Sequence, residues 1–469
     1  MVAIRKKFYD PDFNPILASD SYKMTHHGMY PDNTEYAYSY FENRDGAQFP
    51  VSKFFGLQIF IKRFLTGSVV TREHIEEAKE ILEFHFIDGL THVDIERWEY
   101  ILDKYDGRLP IRIKAVAEGS LVPASNVLFD VINTDPNCAW LVGHVEDILT
   151  HVWHTTTVAT LSYMVKQDYQ KHLEETCDDD KIDSVIKFML HGFEYRGGTN
   201  HYSSSWGGAA HLINFWGTDN LSAIKTIRDY YNTKHVNAYS VHATEHSVAT
   251  SEGREGESRR TGKIITKYDK GILSLVCDSY NYKKFVDVII GQTYKQLILK
   301  RDGKVVVRPD SGDYNEVIPY ILLSLEKSYG TKLNSKGYKV LNPKIGVIWG
   351  DGLNRKDINI ILKLVKDLGF SGENLCFGMG GGLIQKGIDR DTQRSAFKCS
   401  AQCRDGKWYD IQKDPLDSTK KSKKGIQYLT LDPEGNYQTT NVPTLDDQLK
   451  TVFLDGDMVK EYDYKDIAA

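Results

Sequence analysis

The stretch Lys304-Val-Val-Val-Arg-Pro-Asp-Ser-Gly-Asp313 restricts the fold more than any other part of the chain. Three consecutive valines make a short apolar run, the pattern of a strand buried on both faces. Pro309 has no N–H to give to a sheet ladder, so the strand ends at Arg308. Asp310, Ser311 and Gly312 then turn the chain toward a helix expected over Tyr314 to Lys327. The guanidinium offers a planar fork of donors. The carboxylate accepts from hydroxyls, and N–H groups at a helix start favour anions. Such a turn suits a phosphorylated sugar. The plainer alternative is a βα turn closed by an Arg–Asp ion pair, and one turn does not decide between them.

The turn is repeated along the chain. Apolar runs over Ser184 to Leu190, His211 to Phe215, Asn237 to Val241, Ile272 to Cys277, Lys344 to Trp349 and Asn374 to Phe377 read as strands. They lead into Phe193-Glu-Tyr-Arg196, Gly217-Thr-Asp219, Glu245-His246-Ser247, Asp278-Ser279-Tyr280, Gly350-Asp351-Gly352 and Gly378-Met-Gly-Gly-Gly382. Most units lie about 30 residues apart, the size of one βα unit of a (β/α)₈ barrel, whose loops after the strands build one shared site. The repetition predicts an α/β fold: an irregular (β/α) barrel over residues 182–389.

The flanks read differently. Glu35 to Phe41 alternates aromatic and polar residues, and Ile111 to Ala117 with Val127 to Ile132 reads as an antiparallel pair. Thr71 is placed to cap a helix over Arg72 to Phe86. The three aspartates within Cys177 to Lys181 suggest a solvated linker. After Gly382, Lys398-Cys-Ser-Ala, Trp408-Tyr-Asp-Ile and Tyr428-Leu-Thr-Leu read as strands, and Lys420-Lys-Ser-Lys-Lys424 as an exposed basic loop. Residues 1–181 and 390–469 are therefore expected to form one discontinuous, sheet-containing α+β domain.

With 469 residues, a net charge of −5 and pI near 6.3, nothing argues for nucleic acid or an anionic membrane as partner. No apolar run approaches a membrane span. No apolar stretch follows Arg5, Lys6 and Lys7, so a signal peptide is not expected. Six scattered cysteines fit a reducing compartment, and a cytoplasmic protein is expected. Cys399 and Cys403 lack the second ligand pair that a zinc site needs.

Sixteen segments together resemble the nicotinamide phosphoribosyltransferases, members of the type II phosphoribosyltransferase family. They include ASDSYKMTH (18–26), YSYFENR (38–44), GFEYRGG (192–198), AHLINFWGTD (210–219), YSVHATEHS (239–247), VRPDSGD (307–313), WGDG (349–352), FGMGGGLIQK (377–386), SAFKCS (395–400) and SKKG (422–425), in order along the chain. Two departures stand out: His242 where Pro is usual, and Ala396 where Ser is usual. The resemblance implies transfer of phosphoribose from 5-phosphoribosyl-1-pyrophosphate to nicotinamide, giving nicotinamide mononucleotide and pyrophosphate in NAD salvage. It implies Mg²⁺, ATP as co-substrate, and a homodimer whose two active sites are shared between chains. Nicotinate phosphoribosyltransferase is the nearest alternative; a non-catalytic nucleotide-binding protein on the same fold is another.

The resemblance also implies roles. Tyr22 and Phe193 would sandwich the pyridine ring. Asp219 would accept from the carboxamide NH₂ and repel the carboxylate of nicotinate; it could equally cap the helix Leu221 to Tyr231. Arg308 would donate to the carboxamide oxygen or phosphate, Asp310 and Asp351 would bind ribose hydroxyls, and Gly350, Gly380 and Gly381 would admit the 5′-phosphate. Arg196 and His246, with Arg44, Arg390 and Lys398 from the other domain or the partner chain, would hold pyrophosphate. Asp20 and Asp278 would place Mg²⁺, directly or through water. His246 would carry a phosphoryl group from ATP.

Overall fold

A computed structural model describes residues 13–413 and 422–468. Arg5, Lys6, Lys7, Lys420 and Lys421 lie outside them. The chain divides into two compact units. One holds the N-terminal residues up to Thr160, Ile227–Lys234 and the chain from Ile388 onward; the other holds Leu161–Thr226 and His235–Gly387. The first boundary thus falls before the acidic stretch at 178–180. That stretch is no open linker: Asp179–Val185 is helical, and the Asp178 carboxylate accepts from the Ser335 N–H and hydroxyl at 2.8 and 2.7 Å, both within the second unit.

In the first unit, strands β1 (Thr34–Asn43), β2 (Ile111–Ala115) and β3 (Val127–Asn133) come from the N-terminal part of the chain. The second unit contributes β4 (Leu190–Gly192), β5 (Gly217–Thr218), β6 (His242–Ala243), β7 (Lys270–Val276), β8 (Asp302–Arg308), β9 (Ile345–Trp349) and β10 (Leu375–Met379). The first unit resumes with β11 (Ser395–Arg404), β12 (Lys407–Asp410), β13 (Lys450–Leu454) and β14 (Asp457–Met458).

The first unit's sheet has the order β12-β11-β1-β3-β2-β13-β14, so strands from both chain ends interleave. Its pairings between long strands are antiparallel; β1 matches Tyr40 with Lys398 and Asn43 with Ser395. Strict alternation in β2 buries Ile111, Ile113 and Ala115 on one face. Tyr38, Tyr40, Phe41, Phe54 and Phe129 fill the core, with the Phe41 and Phe129 rings stacked at 4.8 Å. The helix Arg72–His85 begins as expected, its Thr71 hydroxyl accepting from the His74 N–H at 3.2 Å. In the basic loop, Lys423 is ion-paired with Glu42 rather than simply exposed.

The second unit is built on a parallel sheet of seven strands, ordered β5-β4-β10-β9-β8-β7-β6. It curls until Gly217 of one edge strand bridges Tyr239, just before the other edge strand. Val305 to Val307 lie in the centre, hydrogen-bonded in register to β7 and β9 and buried. This is an irregular, open (β/α) barrel. Three expected strands sit elsewhere. Ser184 to Leu190 is mostly helical, and the strand is Leu190–Gly192. The run at His211 closes the helix His201–Leu212, and the strand is Gly217–Thr218. Asn237 to Val241 precedes the strand His242–Ala243. Strands of two or three residues are too short for periodicity to mark, and buried helix faces beside them carry the apolar signal instead. Among the described residues no helix is long and apolar enough to cross a membrane.

Candidate active site

All seven barrel strands are parallel, so their C-terminal ends share one rim. Phe193 follows β4, Asp219 follows β5, His246 follows β6, Asp278 follows β7, Arg308 ends β8, Gly350 and Asp351 follow β9, and Gly380 and Gly381 follow β10. Backbone hydrogen bonds pin these loops to the sheet. The Phe193 N–H donates to Met379 O, the Asp219 N–H to Gly192 O and the Cys277 N–H to Arg308 O, at 3.0, 3.0 and 3.1 Å.

Phe193 lies half-buried at the centre of one cluster. The Arg308 guanidinium sits 5.5 Å from its ring centroid, in cation–π range. Gly378 makes room for the ring: a Cβ there would come within 1.9 Å of Phe193 Cε2. The Arg196 loop also meets the glycine run closely, since a Cβ on Gly197 would lie 2.7 Å from the Gly381 N. Arg196 is exposed and has no ion pair among the described residues. Arg308 donates from Nη2 to Asp310 Oδ1 at 2.9 Å, while its buried Nε has no partner. The turn thus contains the plain ion pair and still keeps a donor unused.

A second cluster adjoins it. His246 Nε2 lies 3.0 Å from Asp278 Oδ1, and Nδ1 lies 4.0 Å from Asp310 Oδ2. The Ser311 hydroxyl donates to the other Asp278 oxygen. Asp351 has no hydrogen-bond or ion partner for its carboxylate among the described residues. Burial, and then the charges of Asp310 and Asp278, push its pKa above the ordinary carboxylate value. The three carboxylates therefore feel one another.

Asp219 is free of the capping duty it could have had. Asn220 takes that duty: its Oδ1 accepts from the Ala223 N–H at 3.1 Å and from the Ser222 hydroxyl at 2.7 Å. The exposed Asp219 carboxylate instead accepts from the Ser240 hydroxyl. Asn220 has a further task. Its Nδ2 donates to Glu194 Oε1 at 2.7 Å and to Ser204 O at 2.9 Å. Glu194 is fully buried, its Oε2 is unpartnered, and burial pushes its pKa up to about 7. The Glu194–Asn220 bond ties the loop bearing Phe193 and Arg196 to the loop bearing Asp219.

The remaining expected residues belong to the first unit. Arg44 follows β1, and Lys398 lies in the neighbouring β11. Burial lowers the Lys398 pKa, and the nearby cations Arg44, Arg390 and Lys23 lower it further against Glu146. Arg44, Arg390 and Lys398 thus form one basic group. Asp20 is exposed, and its N–H donates to Asp147 at 2.7 Å. Tyr22 is 56% exposed, touching only the edge of His26 in the ring contacts described.

The profile of the "Nicotinate phosphoribosyltransferase (NAPRTase) family" matches residues 188–457, and that of the "Nicotinamide phosphoribosyltransferase, N-terminal domain" matches residues 14–113. A nicotinamide phosphoribosyltransferase from Xanthomonas campestris pv. campestris is 40% identical over 467 residues, covering 97% of both chains. One from Acinetobacter baylyi is 31% identical, covering 90% of this chain and 89% of that one. The chain belongs to the nicotinamide phosphoribosyltransferase family. It is an enzyme that transfers phosphoribosyl groups in NAD salvage. The fold agrees. Human nicotinic acid phosphoribosyltransferase superposes with a TM-score of 0.57 at 13% identity, covering 96% of this chain and 92% of that one. Nicotinate-nucleotide pyrophosphorylase from Pyrococcus furiosus gives 0.57 at 12% identity, covering 98% and 95%.

For this phosphoribosyltransferase, Glu194, Asn220, Ser240, Ser311 and Gly378 are the site residues that sequence reasoning missed. Gly378 lay within the noted glycine run; the polar four carry no local pattern beyond their neighbours. The donor set also bears on a metal. Among the described residues no group of three or more His, Cys, Asp or Glu could hold an ion by itself. The hard oxygen donors Asp278, Asp310 and Asp351 fit Mg²⁺ only with substrate phosphates and water completing its shell.

Proposed function

We propose that this phosphoribosyltransferase acts on nicotinamide and 5-phosphoribosyl-1-pyrophosphate, and that ATP hydrolysis assists the reaction through His246. The observation that carries the choice of base is Asp219, an exposed carboxylate that Asn220 has relieved of helix capping. A carboxylate there accepts from the NH₂ of a carboxamide and repels the carboxylate of nicotinate. Phe193 offers a face for the pyridine ring, and the unpartnered Arg308 Nε offers a donor for the carboxamide oxygen or a phosphate. Tyr22, exposed on the first unit, would supply the opposite face.

Bond breaking at the anomeric carbon leaves positive charge on the ribose and negative charge on pyrophosphate. Asp310 and Asp351 accept from the ribose hydroxyls. Backbone N–H groups at Gly350, Gly380 and Gly381 take the 5′-phosphate. Arg196, with Arg44, Arg390 and Lys398 of the other unit or of a partner chain, holds the leaving group. Asp278 and Asp20, directly or through water, would hold Mg²⁺, which would neutralise pyrophosphate oxygens. His246 gives its Nε2–H to Asp278, which leaves the Nδ1 lone pair as the nucleophile toward the γ-phosphorus of ATP. ADP departs, and water later hydrolyses the phosphoimidazole.

The test is a coupled assay with each base, the ribosyl donor and Mg²⁺, with and without ATP. Preference for nicotinamide and stimulation by ATP are expected. A preference for nicotinate would overturn the choice of base, and indifference to ATP would overturn the role of His246.

A further inference from the structure

The helix Gly253–Lys267 carries Arg260, Lys263, Ile264 and Lys267. Their spacing of three, one and three residues puts them on one helical face. That face lines a recess of about 320 Å³, whose other walls include His242, Thr244, Val248, Tyr268 and Leu273, so it adjoins the segment that carries His246. Three cations border it, and no carboxylate does. An ordinary solvated face interleaves opposite charges. Here Glu252 pairs with Arg259 and Lys263 at 2.9 and 3.1 Å, leaving Arg260 and Lys267 without an ion pair among the described residues. Glu257, one turn before Arg260, is buried and interacts with Lys284 and Arg254. The Arg260 Nε is itself buried without a hydrogen-bond partner. A ligand oxygen would make the bond that this buried donor lacks. Beside the cations, the His242 and Tyr268 rings lie 4.9 Å apart and form an aromatic wall.

We propose that this recess, lined by none of the residues assigned to the strand-end site, is a second anion site for a small phosphorylated molecule carrying at least two negative charges. Arg260 and Lys267 hold its phosphoryl oxygens, and its uncharged part lies against Tyr268 and His242. The volume suits a ligand of this size and falls at the lower end of small-molecule pockets. The planar fork of Arg260 and the mobile point charge of Lys267 are the usual pair of phosphate donors.

The experiment is calorimetric titration of the full-length enzyme with inorganic pyrophosphate. Wild type and Arg196→Ala are compared with the double variant Arg260→Gln/Lys267→Gln. Arg196→Ala is expected to retain a class of sites that the same variant carrying Arg260→Gln/Lys267→Gln weakens at least tenfold. Equal retained binding in the two would overturn the proposal. Should the double variant fail to fold, Lys267→Gln alone keeps the test, since that side chain is exposed. It should weaken the retained class severalfold, and an unchanged affinity would again refute the site.

Discussion

Glu194→Gln is the most informative single change, because the structure fixes both its sign and its size. The carboxyl is fully buried, Oε1 accepts from Asn220 at 2.7 Å, and Oε2 has no partner. Burial raises its pKa from 4.5 to about 7. Between those values the native chain keeps a proton that the unfolded chain has released. Stability must therefore fall as pH rises through this window and level off above the folded pKa. At 1.36 kcal/mol per unit, the raised pKa amounts to about 3 kcal/mol lost by pH 8. Glutamine keeps the acceptor for Asn220 and cannot ionise. The stability difference between Glu194→Gln and wild type should therefore move by about 3 kcal/mol in favour of the variant between pH 4.5 and 8. Urea unfolding of both proteins at half-unit pH intervals reads this directly. Parallel stability curves would show that Glu194 titrates normally and that its burial is not felt.

Four further outcomes are expected. Asp219→Ser should lower the ratio of kcat/KM for nicotinamide over nicotinate, a kind of discrimination that can reach about 10⁴-fold where buried polar groups go unpaired; an unchanged ratio removes Asp219 from base selection. His246→Ala should abolish both ATP stimulation and acid-labile ³²P from γ-labelled ATP while leaving slow transfer, and equal labelling of the variant would contradict the assignment. Gly378→Ala places a methyl 1.9 Å from the Phe193 ring, so the KM for the base should rise more than that for the ribosyl donor; equal effects on both would dissociate Phe193 from the base. In a purified mixed dimer of Tyr22→Ala and His246→Ala chains, activity near half of wild type is expected if each site is shared across a two-fold axis; activity no better than the mean of the two mutant homodimers would mean each site is built from one chain.

What the sequence reveals depends on how far a residue's task shows in its neighbours. Val305 to Val307 are legible because a strand buried on both faces must be apolar throughout. The two-residue strands Gly217–Thr218 and His242–Ala243 are not, since period two needs more residues than they have. The site shows the same divide. Asp219 and Asn220 are adjacent, and either could cap the following helix by residue type. Only the observed bond from Ala223 to Asn220 assigns the cap and leaves Asp219 free. Glu194 sits among aromatic and glycine residues that suggest a loop, and nothing local signals that its carboxyl is buried.

The barrel rim is unevenly charged, and the unevenness follows the reaction. Asp278, Asp310 and Asp351 come from three separate strand ends, and among the described residues two have partners: His246 and Ser311 for Asp278, Arg308 for Asp310. Asp351 is left with repulsion from the other two. A rim that served stability alone would gain by replacing one of these carboxylates with a neutral group. On the proposed reading the surplus has a use. Carboxylates around the ribose favour the positive charge that develops as the anomeric bond breaks, and that attraction is greatest in the transition state. The leaving group needs the opposite field. Among the proposed pyrophosphate ligands the rim supplies Arg196 and His246, whereas Arg44, Arg390 and Lys398 form a basic group in the other unit, where burial, and then the neighbouring cations, lower the Lys398 pKa. The three rim carboxylates and the Arg44, Arg390 and Lys398 group are thus local excesses of one sign each, which bound substrate, polarised in the same sense, would relieve.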